Sequence, residues 1–393
     1  MKNATKIISC YAADTSGVCS ALYELGGMVV VHDASGCNST YSTHDEPRWY
    51  DKRSMIYISA LTENDAIMGN DEKLISDIVS AANDQHPAFI AVCGSPMPMM
   101  TGVDFDAIAD EIERRSNIRT FAIHTNGTHN YLKGAADSLL TVVKEYAEEC
   151  KKTENGVNIL GATPLDVPLN GTLESIKKWL KENGFDTVCS LSMDCTLDDI
   201  RKMPSANVNL VVSYSGLAAA EYLYKKFGIP FVCGVPVGRE FSKILAKKLK
   251  NCEVSYPCAD REKVGDRGTV MTVPNGTAEP SPLSRTYIIG EGIFAGSLAR
   301  AWELETGEKA NVICPLDNTP EMLAKTDITA YAEEDIEAVL KNAKTVVADP
   351  LYKFIVPKDA KFISLPHFAF SGRCYARFMP DLINGQVFDK LTN

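Results

Sequence analysis

Four cysteines in the first hundred residues, Cys10, Cys19, Cys37 and Cys93, are the side chains with the most chemistry to offer. The stretch "HDASGCNSTYSTHDEPRW", residues 32–49, shows why. It leaves the apolar run Met28-Val-Val-Val and turns at Gly36 to present Cys37. Amide and hydroxyl side chains follow (Asn38, Ser39, Thr40, Ser42, Thr43), and then His44, Asp45 and Glu46. A thiolate can ligate a metal ion, and a histidine titrates near neutrality and can deliver protons. The same run also suits a solvated loop with helix-capping charge. Cys93 ends Phe89-Ile-Ala-Val and precedes Gly94, and Cys10 closes the short apolar run Lys6–Ser9. Cys19 falls in the first turn of a helix that follows Asp14-Thr15-Ser16, a position that favours thiolate.

If these runs are strands of one parallel sheet, the four thiols converge at its carboxyl edge, where such sheets bind ligands. The alternative is that they are small buried hydrophobes. No two cysteines are spaced as Cys-x-x-Cys, so zinc-ribbon and ferredoxin patterns are absent. Cys150, Cys189, Cys195, Cys233, Cys252, Cys258 and Cys314 are scattered over helices, strands and turns and read as structural. Cys374 lies in "PHFAFSGRCY", close to His367 and Arg373.

The elements that must position these groups follow an alternating pattern. Apolar runs of strand length (Met28–His32, Met55–Ser59, Phe89–Cys93, Arg119–His124) alternate with amphipathic stretches such as 71–83 and Phe105–Ser116. A long helix over 131–151 leads into Thr153-Glu-Asn-Gly156, a boundary. The pattern restarts with strands at 158–160, 187–191, 210–213 and Phe231–Cys233, and with helices at Thr172–Glu182, Leu197–Lys202 and Leu217–Phe227. A turn-rich stretch, residues 274–282, precedes a third unit with strands at Thr286–Ile289, Asn311–Cys314, Thr345–Ala348 and 361–363. The expected fold is α/β, three Rossmann-like parallel-sheet domains in series, over residues 1–156, 157–282 and 283–393.

Bulk properties narrow the function classes. At 393 residues the chain is too long for one ordinary core. A net charge of −11 with no basic stripe argues against nucleic acid. The first residues carry too short an apolar stretch for a signal-peptide core and no run approaches a membrane span, so the expectation is a cytoplasmic protein in which twelve cysteines do not form a disulfide framework.

Three stretches carry a family resemblance. "CYAADTSGVCSALYELGGMVVVHDASGCNSTY", "ISALTENDAIMGNDEKLISDIV" and "PAFIAVCGSPMPMMTGVDFDAIADEIE" follow the order seen in the nitrogenase component 1 superfamily. There a cysteine precedes a helix, a strand leads to His-x-x-x-Gly-Cys, an acidic Glu-x-Asp-x-x-x-Gly segment follows, and a strand leads to a third cysteine. "NLVVSYSGLAAAEYLYKKFGIPFV", "VVADPLYK" and "LPHFAFSGR" continue the similarity to the end of the chain. The resemblance implies the fold already expected and an iron–sulfur cluster, 4Fe–4S or larger, near a subunit interface. Cys37 matches the second cluster ligand. Cys10 or Cys19 is the first, and Cys93 stands near the third, where the family's cysteine position reads Ser95-Pro96. The cysteine that holds the family's active-site metal cofactor corresponds to Ser213, and His367 falls close to the cofactor histidine. A molybdenum–iron cofactor held in the usual way, and dinitrogen reduction, are therefore not expected.

The resemblance further implies an oxidoreductase that works as a homodimer or as a heterodimer with a paralogous chain. Electrons would come from an ATP-dependent iron-protein reductase and pass to a substrate, a second metallocofactor or a tetrapyrrole in the cleft between domains. His44 and His367 are the candidate catalytic residues. The chain has no Gly-x-x-x-x-Gly-Lys-Ser/Thr segment, so ATP would be bound by the partner. The competing non-catalytic reading is a scaffold on which a metallocofactor is assembled and handed on. A nicotinamide enzyme is the weaker competitor, because Gly290, Gly292 and Gly296 in "IIGEGIFAGSLARAW" are one residue too widely spaced.

Overall fold

The computed structural model describes residues 5–8, 10–34, 36, 40, 45–257, 271–272 and 284–385. Cys37 and His44 lie outside the described residues.

Three sheets are built in chain order. The first contains β1 (Met28–His32), β2 (Met55–Ile58), β3 (Ile90–Gly94) and β4 (Thr120–Ile123), arranged β2-β1-β3-β4. The second contains β5 (Gly156–Leu160), β6 (Asp186–Ser190), β7 (Val208–Val211) and β8 (Phe231–Cys233), arranged β6-β5-β7-β8. The third contains β9 (Met271–Thr272), β10 (Thr286–Ile289), β11 (Asn311–Cys314), β12 (Ile328–Thr329), β13 (Thr345–Ala348) and β14 (Lys361–Ser364), arranged β14-β13-β10-β11-β12-β9. All neighbouring strands pair in parallel. The short strand β9 lies before residue 283, yet it pairs with β12 in the third sheet.

Parallel strands are covered on both faces, so they read as continuous apolar runs. In the first sheet Met28, Val30, Ile90 and Val92 pack outward against Leu74, Ile78, Ile108 and Ile112, while Val29, Val31, Ala91 and Cys93 face inward onto the main core. The inner layer is a close helix pair, Asp14–Leu22 against Tyr131–Tyr146. A Cβ on Gly17 would sit 2.0 Å from the Tyr131 carbonyl oxygen, and one on Gly134 would sit 1.9 Å from that of Asp14. Only glycine allows the two backbones to meet there.

Two local expectations change. The helix from Tyr131 stops at Tyr146, and Ala147 turns to extended geometry. Its continuation docks instead on the helix Leu197–Lys202 and the turn before β7: Glu148 N–H donates to the Arg201 carbonyl at 3.2 Å, and Lys152 Nζ donates to that of Ala206 at 2.8 Å. The segment around Cys10 is not a strand. The amides of Tyr11 and Ala12 both donate to the Ala369 carbonyl at 3.0 Å, which ties the start of the chain to the helix Phe368–Ser371.

Each sheet has a central strand flanked by its neighbours in the fold's order, which leaves a crevice between β1 and β3, between β5 and β7, and between β10 and β13. Ligands bind at such points because the connections on the two sides run off in opposite directions. Asp33 and Ser95 follow the first pair of strands, Ser213 follows β7, and Glu291 and Asp349 follow β10 and β13.

Candidate functional site

The crevices of the second and third sheets open onto a common, narrow cleft with a cavity volume of about 50 Å³. Its walls are mainly apolar, with Leu165, Val212, Ile289, Phe294, Phe368 and Leu382 among them, and with Asp166 and His367 as the ionisable lining residues among those described.

Asp166 organises the polar end. The Tyr131 hydroxyl donates to Oδ1 and the Ser213 hydroxyl donates to Oδ2 at 2.6 Å. His367 Nε2 lies 3.4 Å from Oδ1, with both side chains almost fully enclosed. Tyr131 is fully buried, and burial together with the Asp166 charge raises its hydroxyl well above the usual phenol range. Behind Asp166 stands Glu291, which caps the helix Gly292–Thr306. Its Oε1 accepts from the amides of Tyr214 at 3.0 Å and Ile293 at 3.1 Å, and its Oε2 accepts from that of Phe294 at 2.9 Å. Three donors favour the carboxylate, but complete burial and then the charge of Asp166 outweigh them and push Glu291 up to about 7. Asp349 holds His367 from the other side: its Oδ2 accepts from the His367 amide and from the Ser371 hydroxyl, each at 2.8 Å. The ring of His367 stacks on Phe370 with centroids 4.6 Å apart, and its buried Nδ1 has no hydrogen-bond partner among the described residues.

The cysteines of the first unit are placed differently from one another. Cys10 is half-buried, and its thiol donates to the carbonyls of Ala369 at 3.4 Å and Ala12 at 3.5 Å. Burial pushes it up to about 12. Cys19 lies in the second turn of the helix Asp14–Leu22 rather than in the first, because the helix begins at Asp14 with Ala13 as its cap. It is buried, and desolvation raises its thiol well above the ordinary range. Cys93 is sealed on the inward face of β3, which runs one residue further, to Gly94, and burial pushes its thiol up to about 12. Among the described residues, no three His, Cys, Asp or Glu side chains are grouped to hold a metal ion. Cys10, Cys19 and Cys93 therefore do not fit a cluster by themselves. At the carboxyl edge of the first sheet Ser95 donates its hydroxyl to Asp33, and both are buried.

A thiolate-held metallocofactor does not fit the cleft either. None of its described lining residues is a thiol, and the two side chains that the family resemblance points to, Ser213 and His367, are both turned onto Asp166. The donor set is that of an acid–base site.

The reading of the sequence missed Asp166, Tyr131, Glu291 and Asp349. One signal was present. An acid or serine stands at or just beyond the end of a strand run at Asp33, Ser213, Glu291 and Asp349, the same rule that drew attention to Cys37.

The family model for nitrogenase component 1 type oxidoreductases matches residues 15–261. The nitrogenase iron-molybdenum cofactor biosynthesis protein NifE of Clostridium pasteurianum is 30% identical over 177 residues, 44% of this chain and 38% of the relative. A subunit of the light-independent protochlorophyllide reductase of Prosthecochloris aestuarii is 38% identical over 107 residues, 26% and 20% of the two chains. The nitrogenase molybdenum-iron protein alpha chain of Methanothermobacter marburgensis is 26% identical over 246 residues, 57% and 51% of the two. The matches thus span between a fifth and about half of these relatives. A solved structure titled "Nitrogenase Cp1 at pH 6.5" superposes over 100% of this chain and 92% of its own, with a TM-score of 0.68 and 15% identity, which is a likeness of fold.

Proposed function

Because the chain belongs to the nitrogenase component 1 type oxidoreductases, we propose that it is a component-1-type reductase subunit whose substrate site is the cleft at Asp166. In this reading it pairs with a second copy or a paralogous chain, and a separate ATP-dependent iron-protein reductase supplies the electrons. An iron–sulfur cluster, 4Fe–4S or larger, would sit at the carboxyl edge of the first sheet on Cys37, completed by the facing chain and by whichever of Cys10, Cys19 and Cys93 repacks towards it. Such a cluster supplies electrons one at a time.

The observation that carries the substrate site is the meeting of Tyr131, Ser213 and His367 on one carboxylate at the wall of an apolar cleft. Reduction of an organic molecule consumes protons as well as electrons. The Tyr131 and Ser213 hydroxyls fix the orientation of the Asp166 carboxylate, and His367 Nε2, 3.4 Å from Oδ1, is placed to pass a proton along this line of groups. The apolar walls orient the substrate and exclude water. A tetrapyrrole finds support in the similarity to the light-independent protochlorophyllide reductase.

The second reading, a scaffold for cofactor assembly, is favoured by the 30% identity to NifE. One experiment separates the two. The protein purified without oxygen should contain iron and acid-labile sulfide, both lost in Cys37→Ala, and should sustain ATP-dependent reduction of an added tetrapyrrole with an iron-protein reductase. Iron and sulfide without turnover would favour the scaffold, and their absence from the wild type would remove the cluster.

A further inference from the structure

Cys189, in β6, and Cys195, five residues past the end of that strand, hold their sulfurs 3.3 Å apart. Both residues are enclosed, 2% and 4% exposed. The turn between them carries two non-glycine residues in the left-handed region, Ser192 with φ 95° and Asp194 with φ 52°. L-residues rarely adopt that conformation, and Ser192 lies beyond its usual range. The turn is the place where the second sheet meets the first unit. Arg48 Nη1 approaches the Ser192 carbonyl at 3.5 Å, the Ser192 hydroxyl donates to the Ser20 carbonyl at 3.3 Å, and the Asp194 amide donates to Glu24 Oε2 at 3.0 Å. Arg48 in turn belongs to the segment at residues 45–51, which follows Cys37 in the sequence.

We propose that Cys189 and Cys195 are a disulfide-forming pair, a modification site that resets the turn between them and, through Arg48, the seat of the segment at residues 45–51. The co-reactant is a small-molecule disulfide such as oxidised glutathione. One protein thiol loses its proton and attacks a reagent sulfur, which breaks the reagent S–S bond and releases one thiol. The second protein thiol then displaces the remaining half. The two protein thiols are oxidised to one S–S bond, the reagent is reduced to two thiols, and the two protons end on those thiols. The sulfurs must close from 3.3 Å to about 2.0 Å, so the turn has to move. Each contact it makes with Arg48, Ser20 and Glu24 transmits that movement. Access requires the strained turn to open first, so exchange is slow beside that of the exposed Cys150, Cys252 and Cys374.

The test uses the full chain, reduced and then incubated without oxygen in oxidised glutathione, unfolded in N-ethylmaleimide and digested with trypsin. Both cysteines fall in one tryptic peptide, residues 182–201. The expected product is that peptide two hydrogens lighter, with neither cysteine alkylated, restored by dithiothreitol and absent from Cys195→Ser. Hydrogen exchange over residues 45–51 should differ between the reduced and oxidised wild type. Full alkylation of both cysteines while Cys150, Cys252 and Cys374 are oxidised would overturn the site. A closed peptide with unchanged exchange at 45–51 would overturn the coupling. The wild type alone decides both points, so a variant that fails to fold does not leave the question open.

Discussion

Ser213 donates its hydroxyl to Asp166 Oδ2 at 2.6 Å, across the crevice between β5 and β7. At that distance the serine is committed to the carboxylate rather than to a ligand. With the Tyr131 hydroxyl on the other oxygen, Asp166 is the acceptor for two buried donors from two different parts of the chain.

Removing that acceptor therefore has a cost beyond the lost bonds. In Asp166→Ala the Tyr131 hydroxyl loses its acceptor, at about 1–3 kcal/mol for a group left unsatisfied, and the Ser213 hydroxyl, which can turn to the Ser215 hydroxyl 3.1 Å away, loses less. Urea unfolding should show the midpoint falling by an amount corresponding to a loss of about 2–5 kcal/mol, with an unchanged slope. Asp166→Asn, which keeps one acceptor oxygen and the shape, should lose less.

Glu291 makes the fold pH-dependent. Burial raises it from the ordinary value of 4.5 to about 7 in the folded protein. The folded state thus binds a proton that the unfolded state has released in that window. Stability from this group is complete below the unfolded value and declines as pH rises through the folded one. The melting temperature should accordingly fall between about pH 4.5 and about pH 7 and level off above that. In Glu291→Gln this part of the slope should vanish, and the difference between the two curves isolates Glu291 from other titrating groups. Identical slopes would show that Glu291 is not the group responsible.

Much of this architecture was legible in the sequence because its signals are local. The helices Phe105–Ser116, Thr172–Glu182 and Leu217–Phe227 begin and end where the sequence indicates. Asp104 caps the first of them with its side chain, and Gly228 closes the last in the left-handed conformation that glycine favours. Strand runs are legible because a strand covered on both faces is apolar at every position. The site is another matter. Tyr131, Asp166 and Glu291 come from widely separated positions and none is unusual in its own neighbourhood, while Ser213 and His367 were legible only through the family resemblance. Glu291 was hidden among the glycines of "IIGEGIFAG", where the spacing of glycines drew attention away from the acid between them. Cys93 shows the opposite error of scale. One further residue of strand, Gly94, separates a thiol at the rim from a thiol inside the core.

The helix pair that carries Tyr131 to the site tests the packing directly. A methyl group on Gly17 would lie 2.0 Å from a backbone carbonyl, which no side-chain rotation relieves. Gly17→Ala should force the helices apart and destabilise the first unit by more than about 3 kcal/mol, at or above the upper range for overpacked cores. It should also displace Tyr131 from Asp166. Gly69→Ala is the control for strain without a clash, since a Cβ there meets nothing within 4 Å while φ is +65°. Its cost should be confined to about 1–2 kcal/mol from the left-handed backbone.

Arg48 is the largest fully buried side chain in the described structure, and it joins the first and second units. Its Nε pairs with Glu46 at 2.6 Å, its Nη1 pairs with Glu24 at 3.0 Å, and its Nη2 donates to the Ser20 carbonyl at 2.6 Å. The guanidinium also lies over the Tyr23 ring, 4.6 Å from the centroid. Two carboxylates pair with this one cation, and among the described residues Glu24 has a second cation in Lys52 while Glu46 has none. Arg48→Ala leaves Glu46 enclosed without its partner cation, a change that costs about 3–5 kcal/mol in buried pairs. Arg48→Lys keeps the charge but cannot span both acids and the carbonyl, so it should fall between the wild type and alanine. Denaturant midpoints for the three proteins should follow that order, and a lysine variant as stable as the wild type would show that charge alone, not the planar fork, holds the segment after Cys37.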